Sequence, residues 1–304
     1  MANITTLPFR SICKEMGADA VYTPMLSSNA IVYNPEKTLK IAEFLPQEQP
    51  VIVQIFGYSG KLMGEAAHIV DKELKPAGID INMGCPAPKI TGNECGSALL
   101  KDLVRAVEIM KEIREKYHGQ LSVKLRLGWS ESNILDFVKK LERIGINSIS
   151  IHGRTAKQGY KSKADWEKIH EIAKSVSIPE IGNGDITTWQ GAKERLNISK
   201  LAGIMIGRGV LGNPWLLREI KEKRNIEIDK SELIRVIKLQ TERHVKYIGE
   251  EVAEKEMRKH LGWYFKGFSG ASELRKHAMS VNTYKDVKNV LNSLKSLEIK
   301  GNLR

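Results

Sequence analysis

The sequence predicts a (β/α)8 TIM barrel with its first strand truncated, followed by a small all-α helical domain. Three observations carry that expectation. Short apolar, β-branched runs alternate with amphipathic stretches up to about residue 222, an order that builds a parallel sheet. Each run ends in a polar or glycine-bearing loop, as strands do at the mouth of a barrel enzyme. Beyond about residue 225 strand signals stop and only helical patterns remain.

Taken in order, Met1-Ala2-Asn3 reads as a loop and a helix follows at 7–16, so the strand that should open a barrel is missing. Strands are expected at 20–22, 51–56, 79–82, 121–125, 148–151, 179–181 and 203–206, seven where a closed barrel uses eight. Between them, stretches such as 103–117 and 134–144 repeat apolar residues at three and four. The strand ends read "QIFG", "NMGCP", "KLRLGW", "HGRT", "GNGDI" and "GRGVLGNP". A doubly wound sheet would carry a G-x-G-x-x-G fingerprint after its first strand, and no such run stands there. Four helices should complete the chain at 229–247, 253–268, 271–280 and 284–297, the first capped by Asp229 with Glu232 three residues on. The division expected is a catalytic barrel over 1–225 and a helical domain over 226–304.

With 304 residues, 41% hydrophobic and 28% charged, the composition is that of a globular protein. No apolar run approaches the roughly 20 residues of a membrane-spanning helix, and no basic-then-apolar leader opens the chain. A cytoplasmic protein with no membrane partner is expected, and a monomer. Three cysteines, Cys13, Cys85 and Cys95, suit neither a disulfide framework nor a zinc site, so no metal is expected. The net charge of +12 favours a polyanionic partner. Residues 221–304 hold 19 Lys and Arg against 12 Asp and Glu, which places the nucleic-acid-facing surface in the C-terminal region.

The last two strand ends, Gly182-Asn183-Gly184-Asp185 and Gly207-Arg208-Gly209, occupy the corner where barrels cradle a phosphate on backbone N–H groups. The competing interpretation is two ordinary turns. Lys124, at a strand terminus, would stabilise negative charge on a ring or a substrate oxygen if it points into the mouth; a lone lysine there more often snorkels along the rim. Gln54 is a polar residue in a strand made for burial and needs a partner, and His152 is able to donate or accept near neutral pH. Together they outline a pocket for a phosphorylated, ring-bearing cofactor. Cys85 stands on a rigid loop before Pro86. A thiol is mostly protonated at neutral pH, so it serves as a proton donor as well as a nucleophile. Cys95 competes for that role from the same loop, while Cys13 reads as a core residue.

The motifs "LPFR", "QIFG", "NMGCPAPK", "GSALL", "KLRLGW", "HGRTAKQGY", "ADW", "IGNGDI", "MIGRGVLGNPWL" and "RKHLGWYFKG" stand in one order. In that order they resemble the tRNA-dihydrouridine synthases, flavoenzymes that reduce uridine in tRNA. The resemblance runs from Ala2 to about Met279. It implies an FMN-binding barrel followed by an RNA-binding helical domain, with NADPH as the reductant. It makes Cys85 the acid that protonates uracil C5 after a hydride passes from flavin N5 to C6. Asn82 and Lys89 of the same motif would bind the substrate uridine. Gln54, Lys124 and His152 would hold the flavin, with Asn183, Gly184, Asp185, Gly207 and Arg208 on the ribityl chain and phosphate. Arg258 and Lys259, on a basic helix face opposite the apolar stripe Met257, Leu261, Tyr264 and Phe268, would meet tRNA phosphates. A base buried in folded tRNA must be turned out to react, so binding energy has to come from the RNA body. The family's opening strand, ending Ala-Pro-Met, has no counterpart ahead of Ala2. A chain complete as given would be expected to close its barrel and hold flavin less well, and a start set too far downstream, or an internal fragment, is the preferred expectation. Two alternative functions stand beside the main one: an FMN oxidoreductase acting on a small pyrimidine-like substrate, and a non-catalytic RNA-binding remnant, to which the lost strand lends weight.

Overall fold

A computed structural model describes residues 1–198, 200–298 and 303. Residues 299–302 and 304 of the expected helical domain therefore lie outside the description. The strands are β1 (Val21–Tyr22), β2 (Leu26–Ser27), β3 (Val51–Phe56), β4 (Gly78–Met83), β5 (Leu121–Arg126), β6 (Ser148–His152), β7 (Glu180–Asn183) and β8 (Gly203–Met205). The helices of the first part are α1 (Leu7–Glu15), α2 (Ser28–Tyr33), α3 (Pro35–Leu39), α4 (Gly60–Leu74), α5 (Pro88–Thr91), α6 (Leu103–Lys116), α7 (Leu135–Ile144), α8 (Trp166–Ala173), α9 (Trp189–Asn197) and α10 (Trp215–Glu222). Four more follow: α11 (Lys230–Ile248), α12 (Glu250–Tyr264), α13 (Ala271–Met279) and α14 (Tyr284–Ser296).

The expected barrel architecture is present as an open arc. Seven strands form one parallel path, β1-β3-β4-β5-β6-β7-β8. The short β2, which the sequence did not reveal, pairs with the end of β3 at Leu26↔Ile55 and Ser27↔Phe56. Among the described residues β8 does not pair with β1.

Strand side chains alternate between faces. Val51, Val53, Ile55, Ile79, Ile81, Leu121, Val123, Leu125, Ile149 and Ile151 point outward under the helices and are fully buried. The inward positions are mostly polar. Register stacks them in rows: Gln54 opposite Asp80 opposite Ser122, Asn82 opposite Lys124 opposite Ser150, and Arg126 opposite His152 opposite Asn183. Residues two apart on one strand thus climb the barrel interior toward the mouth.

Glu180 breaks the outward pattern. It pairs with Ile149 on the helix-facing side, and neither of its buried carboxylate oxygens has a partner among the described residues. Burial pushes its carboxyl up to about 8 from 4.5. The folded protein then holds a proton that the unfolded chain releases, so stability present below about 4.5 is lost as pH rises through about 8. We expect the wild type to lose on the order of 5 kcal/mol of unfolding free energy across that range. Glu180→Gln should lack that slope in urea titrations at several pH values.

A second core joins the helical region to the barrel. Ile12 and Met16 of α1 and Trp215 of α10 pack with Leu233, Val236, Ile237, Met257, Leu261, Tyr264 and Phe265. Asp229 caps α11 by accepting from the Glu232 N–H at 2.7 Å, as its position suggested. The sequence placed the next helix at 253–268, but α12 begins at Glu250 and ends at Tyr264. Two glutamates favour the earlier start. At the far end the Lys266 N–H bonds back to the Tyr264 carbonyl, and Arg275 takes the Phe265 carbonyl at 2.6 Å. Phe268 and Lys266 therefore lie beyond the helix.

In this second core His260 is fully buried between Phe9 and Trp263, with both ring nitrogens unpartnered among the described residues. Burial, then the neighbouring His244 and Lys259, hold its pKa well below the usual value. The unfolded chain takes up a proton here that the folded one refuses, so stability is lost as pH falls below about 6.5. His260→Phe should raise stability by about 1–2 kcal/mol near pH 5.5 and by less near pH 8, read from thermal unfolding at both.

No helix among the described residues is long and apolar enough to cross a membrane. No group of three or more His, Cys, Asp or Glu among them is placed to hold a metal ion.

Candidate active site

The strand-borne residues singled out in the sequence line the inner face of the sheet: Gln54 sits in a deeper row, Asn82 and Lys124 in the next, and His152 and Asn183 at the C-terminal end, where the loops form the mouth. Asn82 is buried on β4 and its side chain closes the turn that follows. Its Oδ1 accepts from the Gly84 N–H at 3.1 Å and the Cys85 N–H at 2.9 Å. The Cys85 carbonyl accepts from Ser97 twice, from the N–H at 3.0 Å and the hydroxyl at 2.9 Å. Arg126 Nε donates to the Gly84 carbonyl at 2.8 Å. The thiol-bearing backbone is thus pinned from three sides, and Cys85 is half-buried and within electrostatic reach of Lys124. Cys95 is different: it is buried, its sulfur lies 3.1 Å from the Asn93 carbonyl, and burial pushes its thiol up, aided by Glu94.

Lys124 stands beside Asn82 in register, and its one acceptor among the described residues is Asn183 Oδ1, at 3.4 Å. Burial lowers its pKa to about 8; Asp80 opposes that shift and Arg126 adds to it. An ammonium carries three donors, so Lys124 is under-satisfied and aimed into the mouth. Asn183 donates in turn to the Met205 carbonyl at 2.6 Å, tying β7 to β8.

His152 is buried at the end of β6. Burial and the charges of Lys124, Arg126 and Arg154 push its pKa far down, so the ring is neutral. Arg154 Nη1 lies 3.2 Å from His152 Nε2. Arginine only donates, so Nε2 accepts and Nδ1 carries the ring proton. Gly184 (φ 135°) lies against this imidazole, and a Cβ there would meet Ala164 Cβ at 2.6 Å and His152 Cδ2 at 3.2 Å.

Asp185 accepts from Arg154 at 2.6 Å and from the Ala164 N–H at 2.8 Å, and it pairs with Arg208 at 3.5 Å. Burial alone would raise its carboxyl; Arg154, the amide and Arg208 outweigh it and hold the group low. Its oxygens therefore face arginines, and its place is to aim them. Arg208 is exposed and lies 4.0 Å over the ring of Tyr160. A Cβ at Gly207 would meet Met1 Sδ at 3.8 Å, an ordinary contact, so its backbone is not tightly enclosed. Lys89 is exposed on α5, four residues past Cys85.

The two helical residues lie elsewhere and are engaged within the chain. Arg258 Nε donates to the Val281 carbonyl at 2.6 Å, and its Nη2 reaches Asn282 Oδ1. Lys259 Nζ donates to the Asn3 carbonyl at 3.1 Å. Sequence reasoning passed over Arg126, Arg154, Tyr160, Asp80 and Ser97. Asp80 and Arg126 were findable, because each stands two residues from a chosen site residue on the same strand face. Arg154, Tyr160 and Ser97 act through loops and left no such signal.

The chain matches the family model for dihydrouridine synthase (Dus) over residues 1–299. It is 33% identical to a probable tRNA-dihydrouridine synthase of Aquifex aeolicus, over 98% of this chain and 95% of that protein. It is 38% identical to tRNA-dihydrouridine synthase B of Pasteurella multocida, over 88% of this chain and 82% of that one. Among solved structures, histamine dehydrogenase from Rhizobium sp. 4-9 superposes with a TM-score of 0.55 at 12% identity, over 79% of this chain and 47% of that one. A variant of NCR from Zymomonas mobilis does so at 0.53 and 16%, over 75% and 86%. These two likenesses concern the barrel fold.

Proposed function

The chain belongs to the dihydrouridine synthase family, and from that premise we propose that it reduces the C5=C6 bond of specific uridines in tRNA, with Cys85 delivering the proton to C5. The observation that supports this most is the caged thiol. Cys85 is half-buried where Cys13 and Cys95 are buried, on a backbone held by Asn82, Arg126 and Ser97. A donor fixed this way needs little reorganisation when the proton moves.

The mouth suits a flavin mononucleotide. Lys124 offers ammonium donors to an electron-rich ring, with neutral His152 one row nearer the mouth on β6 and Gln54 one row deeper on β3. Arg208 and the backbone at Gly207, with Asn183 and Gly184 nearby, suit the phosphate and ribityl chain. When bound and reduced by NADPH, this cofactor supplies the hydride for C6. Cys85 holds its proton at Sγ until C5 takes it, and Lys124 offsets negative charge at the site throughout. Asn82 has its oxygen engaged by the loop, leaving one Nδ2 hydrogen for the uracil. We assign catalysis to the barrel, 1–225, and tRNA binding to the helical region, 226–304, with Lys89 at the rim. Arg258 and Lys259 serve the RNA surface by shaping it, given their internal bonds.

The test is to map dihydrouridine in tRNA from cells lacking the gene. Loss of one or a few positions is expected, restored by the wild-type chain. Unchanged tRNA, with flavin present on the purified protein, would turn the assignment to a small pyrimidine. Unchanged tRNA with no flavin absorbance would leave an RNA-binding remnant.

A further inference from the structure

Below Cys85 a line of side chains runs into the barrel and ends on a carboxylate. Asp80 is fully buried on β4. Its Oδ1 accepts from the Ser122 hydroxyl at 2.6 Å, and its Oδ2 accepts from Gln54 Nε2 at 2.7 Å. Gln54 Oε1 accepts from Asn82 Nδ2 at 2.8 Å. Asn82 Oδ1 then takes the N–H groups of Gly84 and Cys85 at 3.1 and 2.9 Å.

We infer that Asp80 is a positioning residue: through Gln54 and Asn82 it sets the donor–acceptor direction of a relay that ends on the Cys85 backbone. The inference deepens the reading of Cys85 as proton donor and rests on it.

The chemistry leaves one consistent arrangement. A side-chain amide has two ends of nearly the same shape, and only its partners decide which way it points. Backbone N–H groups only donate, so Asn82 must turn its oxygen toward the Cys85 loop. Its Nδ2 then has to donate, which obliges Gln54 to present Oε1. That leaves Gln54 Nε2 in need of an acceptor in a buried place. A carboxylate, acceptor on both oxygens, meets the need and takes the Ser122 hydroxyl as well. Register makes this possible, because Gln54 and Asp80 are direct strand partners and Asn82 stands two residues on, on the same face. Burial pushes the Asp80 carboxyl up to about 6, against the pull of Ser122, Gln54 and Lys124, so it is mostly ionised near neutral pH. A polar network that served stability alone would have no reason to lead, bond by bond, to the thiol-bearing turn.

A polarity swap tests this. In Gln54→Glu two carboxylates face each other and the relay loses its end. In Gln54→Glu combined with Asp80→Asn, the new amide donates to position 54 and Ser122 still has an acceptor. Asp80→Asn alone should leave Cys85 alkylation nearly as in the wild type, because its amide oxygen faces Gln54 and the Ser122 hydroxyl rotates to accept. Its turnover should fall somewhat, because the Asp80 charge also supports the Lys124 ammonium. Each protein is purified with its flavin content recorded, and Cys85 alkylation by iodoacetamide is followed by mass spectrometry beside tRNA kinetics. Gln54→Glu should speed Cys85 alkylation at least about threefold, as the loop is released. It should also lower kcat about tenfold or more with KM for tRNA within about twofold. The double variant should return both to within about twofold of Asp80→Asn. Multiplying losses in the double variant, or unchanged alkylation in Gln54→Glu, would overturn the inference. Should Gln54→Glu not fold, Asp80→Leu against Asp80→Asn decides in the same way: alkylation must change in the first and not in the second. Turnover retained by Cys85→Ala would instead remove the acid assignment and leave the alkylation result to judge the relay by itself.

Discussion

Cys85→Ala should bind tRNA and flavin as the wild type does and lose turnover by roughly 10²- to 10⁴-fold, the range for a removed general acid. The reason is local. The Cys85 main chain is held by Asn82 and Ser97, and alanine keeps both of those bonds. The Cys85 side chain packs into no core, so deleting one sulfur opens no sizeable cavity. The loss should therefore appear in kcat with KM for tRNA nearly unchanged. Single-turnover reduction of tRNA by pre-reduced enzyme, beside flavin absorbance and a filter-binding isotherm, separates chemistry from binding. Cys95→Ala is the control. Its thiol is buried, beside the Asn93 carbonyl, and the variant should keep at least about a third of wild-type turnover. Full activity in Cys85→Ala with loss in Cys95→Ala would move the acid to Cys95.

Gly212→Ala should destabilise the protein by about 3 kcal/mol or more and weaken tRNA binding with it. Gly212 precedes α10 in the loop after β8, where the barrel meets the helical region. Its φ of 68° disfavours any L side chain, and an added Cβ would lie 2.1 Å from the Trp263 carbonyl oxygen and 2.7 Å from the Tyr264 nitrogen. Both are main-chain atoms at the end of α12, so no rotamer change relieves the overlap. The last turn of α12 must move, and Tyr264 moves with it, breaking its 2.7 Å bond to Gln240. Urea unfolding reports the loss, and tRNA affinity at fixed salt reports its consequence. A variant within about 0.5 kcal/mol of wild type would mean that the two backbones do not approach this closely.

The strands were legible because their signal is local. Alternation of apolar and polar residues in "VIVQIF" and "LSVKLR" states both that a strand exists and which residues share a face. Gln54, Asn82, Lys124 and His152 stood out as polar residues in such runs, and the structure brings all four to the inner face of the sheet. Short β2 escaped notice, because two residues carry no period. The end of α12 escaped as well: helical periodicity continues through Phe268, and it is a carbonyl taken by Arg275, ten residues away, that marks the stop.

What the sequence determined by itself is the barrel and the helical region after it, with Cys85 on the loop that follows one of its strands, since strand faces, helix stripes and turn residues are properties of neighbours along the chain. What only the tertiary structure decided is where each charge is directed. Asp185, chosen for a ribityl chain, holds two arginines, and Arg258, chosen for RNA, holds the turn at Val281. The physical reason is that a charged group's role is set by the partner that satisfies it. In this fold those partners come from segments far apart in sequence, which no periodicity brings together on paper.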